Sequence, residues 1–361
     1  MAPIPELFTL FQKGITPALH YPWKVCLWAS TASYVLSVIT GNVSQVDRIW
    51  TFMPTIYSVY FALLPLWPRK APLPLFPYSP PDLYQPAATN YSPRAVLMAS
   101  LVFIWMCRLS YNTWRRGLFN LHDEDYRWAV LRQRVPAWFF HVTNLTFIAF
   151  AQNIILFLLG LPTHIAVFQQ PATLSTSDYI LTSLAIIDLL VEFTADNQQF
   201  SFQTYKQTGK INHNEWIGAR IQWTPADAKR GFVTRGLWAW SRHPNFLCEQ
   251  SFWIIITLFP LLAPENPSLP PFSFDNISAY WPLTPAVVLC TLFLSSTLFT
   301  ESISKSKYPQ GYGAYQQRVG MFVPLFTPVW GLLLGLQGKK EKVDKMLFGS
   351  DPELVPGKKE E

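Results

Sequence analysis

Apolar residues fall in long runs separated by short polar segments, and this spacing predicts the architecture before any motif is considered. Runs close to the about 20 residues that a bilayer-crossing helix needs occupy 25–41, 50–68, 94–111, 138–161, 179–195, 244–262 and 282–300. An eighth apolar stretch, 322–336, is short and holds Pro324 and Pro328, so it reads as an interfacial or buried segment rather than a crossing. Nine prolines in the 29 residues from Pro65 to Pro93 predict an irregular connector there. The expected fold is all-α, a polytopic membrane helix bundle of about seven transmembrane helices. An N-terminal segment, 1–24, would precede the bundle at 25–337, and a charged tail, 338–361, expected to be loose, would follow it.

Composition agrees. Half of the 361 residues are hydrophobic and 14% are charged, against roughly 25% charged in soluble domains. This excludes a disordered chain and an ordinary soluble enzyme. Cys26, Cys107, Cys248 and Cys290 sit singly in apolar runs with no CxxC pair, as small buried hydrophobes do. The first 24 residues lack a charged start followed by a compact apolar stretch, so no cleavable signal is expected and a span would target the chain.

Charge placement orients the bundle. The net charge is +6, and Lys and Arg number five in 112–137, seven in 196–243, three in 301–321 and six in 338–361, but none in 162–178 or 263–281. Positive loops stay cytosolic. The C-terminus is therefore expected in the cytosol and, with an odd number of spans, the N-terminus in the lumen. Lys13, Lys24, Arg69 and Lys70 run against this pattern at the front of the chain.

Ionisable groups within membrane helices are costly and mark candidate chemistry. Asp188, Glu192 and Asp196 recur every four residues in DLLVEFTAD, which puts them on one helical face. In GLWAWSRHPNFLCE, Pro244 suits the first turn of a helix, and Asn245 and Glu249 follow four apart. The free N–H groups of that helix start, with Arg235, Arg242 and His243 beside it, suit a phosphorylated cofactor. Arg108 and Tyr111 stand near the cytosolic end of their span, and Tyr308, Tyr312 and Tyr315 form a late tyrosine-rich block. There is no HExxH, no GxxxxGK[ST] and no strand-linked GxGxxG, and the histidines lack metal-ligand spacing, so no metal site is expected; the basic loops are tethered to a bilayer, so nucleic-acid binding is not expected either.

Read together, DRIW at 47–50, RLSYNTWRRG at 108–117, EDYRW at 124–128, EFTADNQQF at 192–200, GLWAWSRHPNFLCE at 236–249 and the tyrosine block ending in FVP at 322–324 carry a resemblance. Over about residues 45–325 the chain resembles the DUF1295 branch of the membrane steroid oxidoreductase superfamily, related to steroid 5-alpha-reductases and sterol reductases. The resemblance implies a cytosol-facing NADPH site and reduction of an activated C=C bond in a sterol-like or other lipid substrate. It implies cofactor contacts for Glu192 and Asp196, a nicotinamide-side pair in Asn245 and Glu249, and further matches at Arg108 with Tyr111 and at Tyr308. Glu249, Tyr308 and Tyr111 are the catalytic candidates, with Arg235, Arg242 and His243 toward the phosphates. Cys248, Phe246 and Glu192 replace the more usual Gly, Tyr and Asn.

A rival from another class is a membrane methyltransferase of the isoprenylcysteine carboxyl or phospholipid type, which uses S-adenosylmethionine and shares an RHPxY-like block. Such enzymes typically carry paired late glutamates, where this chain has Glu301 alone. A structural, sterol-binding protein without turnover is the non-enzymatic alternative. Lys358 and Lys359 resemble a dilysine retrieval signal and point to the endoplasmic reticulum; sequons at Asn90 and Asn276 fall in loops expected to be lumenal.

Overall fold

The computed structural model describes residues 17–83, 85–169, 173–264 and 273–359. Most of the expected N-terminal segment, Lys13 and the side chain of Asn276 lie outside the described residues. The described residues are all-α, with no strand among them and one isolated bridge between Ser241 and Gly320.

Among the described residues, three helices are long and apolar enough to cross a membrane: Pro93–Arg115, Ala137–Phe168 and Ala279–Lys307. Along the chain, the helices used below are α1 (His20–Thr40), α2 (Met53–Ala62), α3 (Pro93–Arg115), α4 (Ala137–Phe168), α5 (Thr176–Thr208), α6 (Pro225–Arg230), α7 (Pro244–Leu261), α8 (Thr284–Lys307), α9 (Pro309–Arg318), α10 (Phe326–Leu336) and α11 (Lys340–Phe348). The window 50–68 is not one continuous helix. It breaks after Gln45–Ile49, resumes as the ten residues of α2, and ends in a 3-10 turn at Leu64–Leu66. Ten residues span about 15 Å, half the hydrocarbon thickness. The proline-rich connector is irregular as its composition predicts, apart from the short turn Gln85–Thr89.

The chain divides into two compact units, one comprising residues up to Ile186 with Trp253–Leu289, the other Ile187–Phe252 with Cys290 onward. In the first unit, Trp105 meets Trp253 edge-on at 5.0 Å, and Tyr57 meets Phe157 at 5.6 Å. Gly160 permits the close approach of Tyr57, whose Cβ would stand 2.6 Å from an added methyl. Arg94 and Asp178 pair at 2.8 Å with both side chains fully buried. Arg48 donates to the carbonyls of Asn120, Leu121 and Asp123, so this residue of the DRIW block shapes a loop.

Helix α5 is inside-out relative to a soluble helix. Ile180, Leu184, Ile187 and Leu190 are exposed, whereas Glu192 and Asp196 are buried. The second unit ends in α9, α10 and α11. The tail, expected to be loose, is instead folded from Lys340 to Phe348, with Val343 and Leu347 buried. Its alternation of lysines with apolar residues hid an amphipathic helix.

Candidate functional site

Every sequence-derived candidate except Arg108 and Tyr111 falls in the second unit, and the site is built from the start of α7. Pro244 opens the helix without the loss of a hydrogen bond. The three residues before it are fixed on a neighbouring segment. Arg242 N donates to Gly320 O at 2.9 Å, His243 N to Met321 O at 3.1 Å, and Ser241 Oγ to Met321 O at 3.2 Å. With the helix start held, Asn245 is in the first turn and Glu249 one turn deeper, buried.

Helix α5 supplies the facing acid. Asn245 Nδ2 donates to Asp196 Oδ1 at 3.3 Å, while Asn245 Oδ1 accepts from Phe246 N at 3.0 Å. Glu192, one turn earlier, is also buried, and Asp188, a turn further back, is half-buried. Gln198 staples the intervening loops to this helix, donating to Gly218 O at 2.8 Å and accepting from Leu237 N at 2.9 Å. Gly236 is required there twice over. Its φ is 65°, and an added Cβ would lie 2.6 Å from Gln198 Oε1.

Two buried carboxylates organise the cations. Glu301 on α8 accepts from Arg242 Nε at 2.6 Å, from Arg242 Nη2 at 3.1 Å and from Gln316 at 2.8 Å, and it lies 3.0 Å from His243 Nε2. Arg242 also donates to the carbonyls of Gln316 and Val319. Burial outweighs the Glu301 carboxylate and lowers the His243 pKa from its ordinary value. The second centre is Asp227, in a capping box with Thr224 at the start of α6 and hydrogen-bonded to Arg230 at 2.5 Å and Arg235 at 2.9 Å. Burial alone would raise its pKa, but the hydrogen bonds from Arg235 and Thr224 prevail and hold it below the usual carboxylate range.

A family model described as a protein of unknown function, DUF1295, matches residues 33–319. The chain belongs to the DUF1295 family. An uncharacterized protein of Schizosaccharomyces pombe is 34% identical over 290 residues, covering 80% of this chain and 74% of the relative. No solved structure matches.

In this DUF1295 chain the fold brings Asp196 and Asn245 into contact and buries Glu192 and Glu249 on the same two helices. Arg242 and His243 turn their donors to Glu301 rather than standing open as anion ligands. Arg235 keeps partial exposure beside Asp227, at 26% of its side chain. Tyr308 is buried near Phe232, and its hydroxyl is 3.3 Å from Lys206 Nζ, which also donates to Gly231 O at 2.9 Å. Arg108 and Tyr111 belong to the other unit. Arg108 is buried, and Tyr111 is exposed beneath the Arg115 guanidinium, 5.1 Å from its ring centre.

Glu301 and Gln316 were missed as site residues. In the sequence Glu301 stands only as the single late glutamate of the methyltransferase comparison, and nothing local connects it with Arg242, 59 residues earlier. Among the described residues no three His, Cys, Asp or Glu are grouped to hold a metal ion. A shallow groove of about 490 Å³ lined by Lys305, Gln310, Gln317 and Lys342 lies on the α9–α11 surface, and neither Asn245 nor Asp196 lines it.

Proposed function

We propose that the chain is an NADPH-dependent membrane oxidoreductase that reduces an activated C=C bond of a sterol-like or other lipid substrate. The observation that carries this reading is the Asn245–Asp196 contact at 3.3 Å, which joins the acidic helix to the first turn of α7 with Glu249 buried one turn on. Lipid-embedded helices gain nothing in packing from such acids and amides; a polar cofactor gives them a purpose.

The residues present fit a dinucleotide in part. Asn245 offers both an amide donor and an acceptor within one turn of a helix start, which suits a carboxamide. Arg235 retains donors toward solvent and is the candidate for the phosphates, whereas Arg242 and His243 act indirectly by fixing the helix start through Glu301. NADPH, when bound, would supply the hydride. The protein's own part is to orient that ring with Asn245 and Glu249, to exclude water with buried helix faces, and to provide a proton from a tyrosine or carboxylic acid. Tyr308, in the same unit as Asn245 and Glu249, is the tyrosine candidate for that proton.

The topology belongs to the same reading: about seven crossings, the C-terminus cytosolic with the basic loops, the N-terminus lumenal, and residence in the endoplasmic reticulum. Glycan on Asn90 or Asn276 would support this arrangement, and glycan on Asn42 would contradict it. The chemical test is turnover. Lipid analysis of a strain lacking the protein should show an accumulated precursor with one more double bond than its product. Re-expressed Glu249→Gln or Asn245→Ala chains, present at normal levels, should leave the precursor unconsumed. Full consumption by both variants would remove these residues from the site.

A further inference from the structure

Helix α10, Phe326–Leu336, has the sequence FTPVWGLLLGL, yet it buries only Thr327, Gly331 and Leu334. These three follow at spacings of four and three, a single stripe. Gly331 lets the Arg318 guanidinium lie against that stripe, since an added Cβ would stand 3.1 Å from Arg318 Cζ. The rest of the helix surface is apolar and open. Leu325, Phe326, Trp330, Leu332, Leu333 and Leu336 are all exposed, Leu336 by 79% and Leu332 by 67%. Exposed Trp240 adjoins them, because Thr327 Oγ1 donates to Trp240 O at 2.6 Å. A helix that is apolar all round is not left facing water.

Nor does it cross the bilayer. Eleven residues rise about 16 Å, half the hydrocarbon core. Both of its ends return to one body. Arg318, before the helix, donates to Thr327 O at 3.0 Å and pairs at 2.7 Å with Asp344, which follows the helix. Gly338, at φ 66°, stops the helix as Lys339 N donates to Leu334 O at 2.9 Å. Next come Lys339 and Lys340, both exposed.

We propose that α10 is an in-plane membrane anchor, its open apolar side among the upper acyl chains of one leaflet and Lys339 and Lys340 against anionic headgroups. The closed chain path excludes a crossing, the apolar surface selects lipid over water, and the adjoining cations select the charge of the leaflet. The proposal rests on the membrane reading of the chain and not on its chemistry, so it survives if the reductase reading fails.

Spin labels placed on the full chain after Cys107→Ser and Cys290→Ser, at Leu332→Cys, Leu336→Cys and, as a water-side control, Lys342→Cys, test it in phosphatidylcholine vesicles with and without phosphatidylserine. Relaxation by oxygen against a water-soluble nickel complex should put positions 332 and 336 about 5–10 Å below the headgroups and position 342 in water. Removing phosphatidylserine, or substituting Lys339→Gln with Lys340→Gln, should draw both labels outward. Depth at the bilayer centre, nickel access equal to that at 342, or protection from both reagents would each overturn the anchor. Depth indifferent to phosphatidylserine and to the lysines would overturn its headgroup preference. If labelled chains do not assemble, a photoreactive group near the lipid headgroup should modify 325–336 in the unaltered protein, and failure to do so contradicts the proposal.

Discussion

The two units bury acids very differently. In the unit containing α1 to α4, the one buried carboxylate among the described residues is Asp178, neutralised by Arg94 with both side chains at 0% exposure. Its interior also holds aromatic packing, hydroxyls bonded to helix carbonyls, such as Ser30 to Cys26 O, and Arg48 bonded to loop carbonyls. In the second unit Glu192, Asp196, Asp227, Glu249 and Glu301 are all buried. Removing a charge from water costs several kcal/mol even after relaxation, so stability alone would not collect five such groups. The first unit is organised to pack. The second pairs Asp227 and Glu301 with arginines and also buries Glu192, Asp196 and Glu249 on α5 and α7.

The largest expected effect breaks the second unit at Glu301. Glu301→Ala strands a buried Arg242, a loss of about 3–5 kcal/mol, read as a fall in the melting temperature of the detergent-purified protein and in recovered folded chain. Exchanging whole pairs sharpens the comparison. Arg94→Met with Asp178→Leu should leave stability within about 1–2 kcal/mol of the parent, since apolar replacements of buried pairs are often neutral, and should leave turnover intact. Arg242→Met with Glu301→Leu should abolish turnover even in folded protein. If both double variants behave alike, the contrast between the units has no functional content.

Gly236→Ala is expected to be milder in stability, about 1–2 kcal/mol for a methyl forced into φ 65° and against Gln198. It should lower activity more than that loss implies, because Gln198 lies two residues from Asp196. The smallest effect concerns pH. Asp227 has a folded pKa depressed below its ordinary value, so its stabilising contribution is complete above the unfolded value and is lost as pH falls through the folded one. Stability from this centre should therefore be flat from pH 7 to 5 and decline only below about pH 4. Asp227→Asn should remove that acid limb while lowering stability at neutral pH.

The parts of the site carried by one helix were legible in the sequence. A four-residue recurrence predicts the shared face of Asp188, Glu192 and Asp196, and α5 runs unbroken through all three. Pro244 predicts the start of α7, and Asn245 and Glu249 follow at the expected spacing. What local spacing could not show was where side chains from distant segments meet. Arg242 and His243 read as open cations until Glu301 is brought to them by the fold. The tail read as loose because its lysines dominate its composition, yet Val343 and Leu347 suffice to dock it, and Arg230 adds bonds to Met346 O at 3.1 Å and Gly349 O at 2.9 Å. The window 50–68 read as a span because hydropathy is blind to the break ahead of Pro54.

Binding of the cofactor is the most direct test of the central claim. In a thermal melt of the purified full chain, NADPH should raise the midpoint progressively with concentration, reflecting a stabilisation of about 2.7 kcal/mol at a hundredfold excess over its dissociation constant, and Asn245→Ala should remove the shift. S-adenosylmethionine should leave the midpoint unchanged. No response to NADPH, or a response to S-adenosylmethionine in its place, would contradict the account.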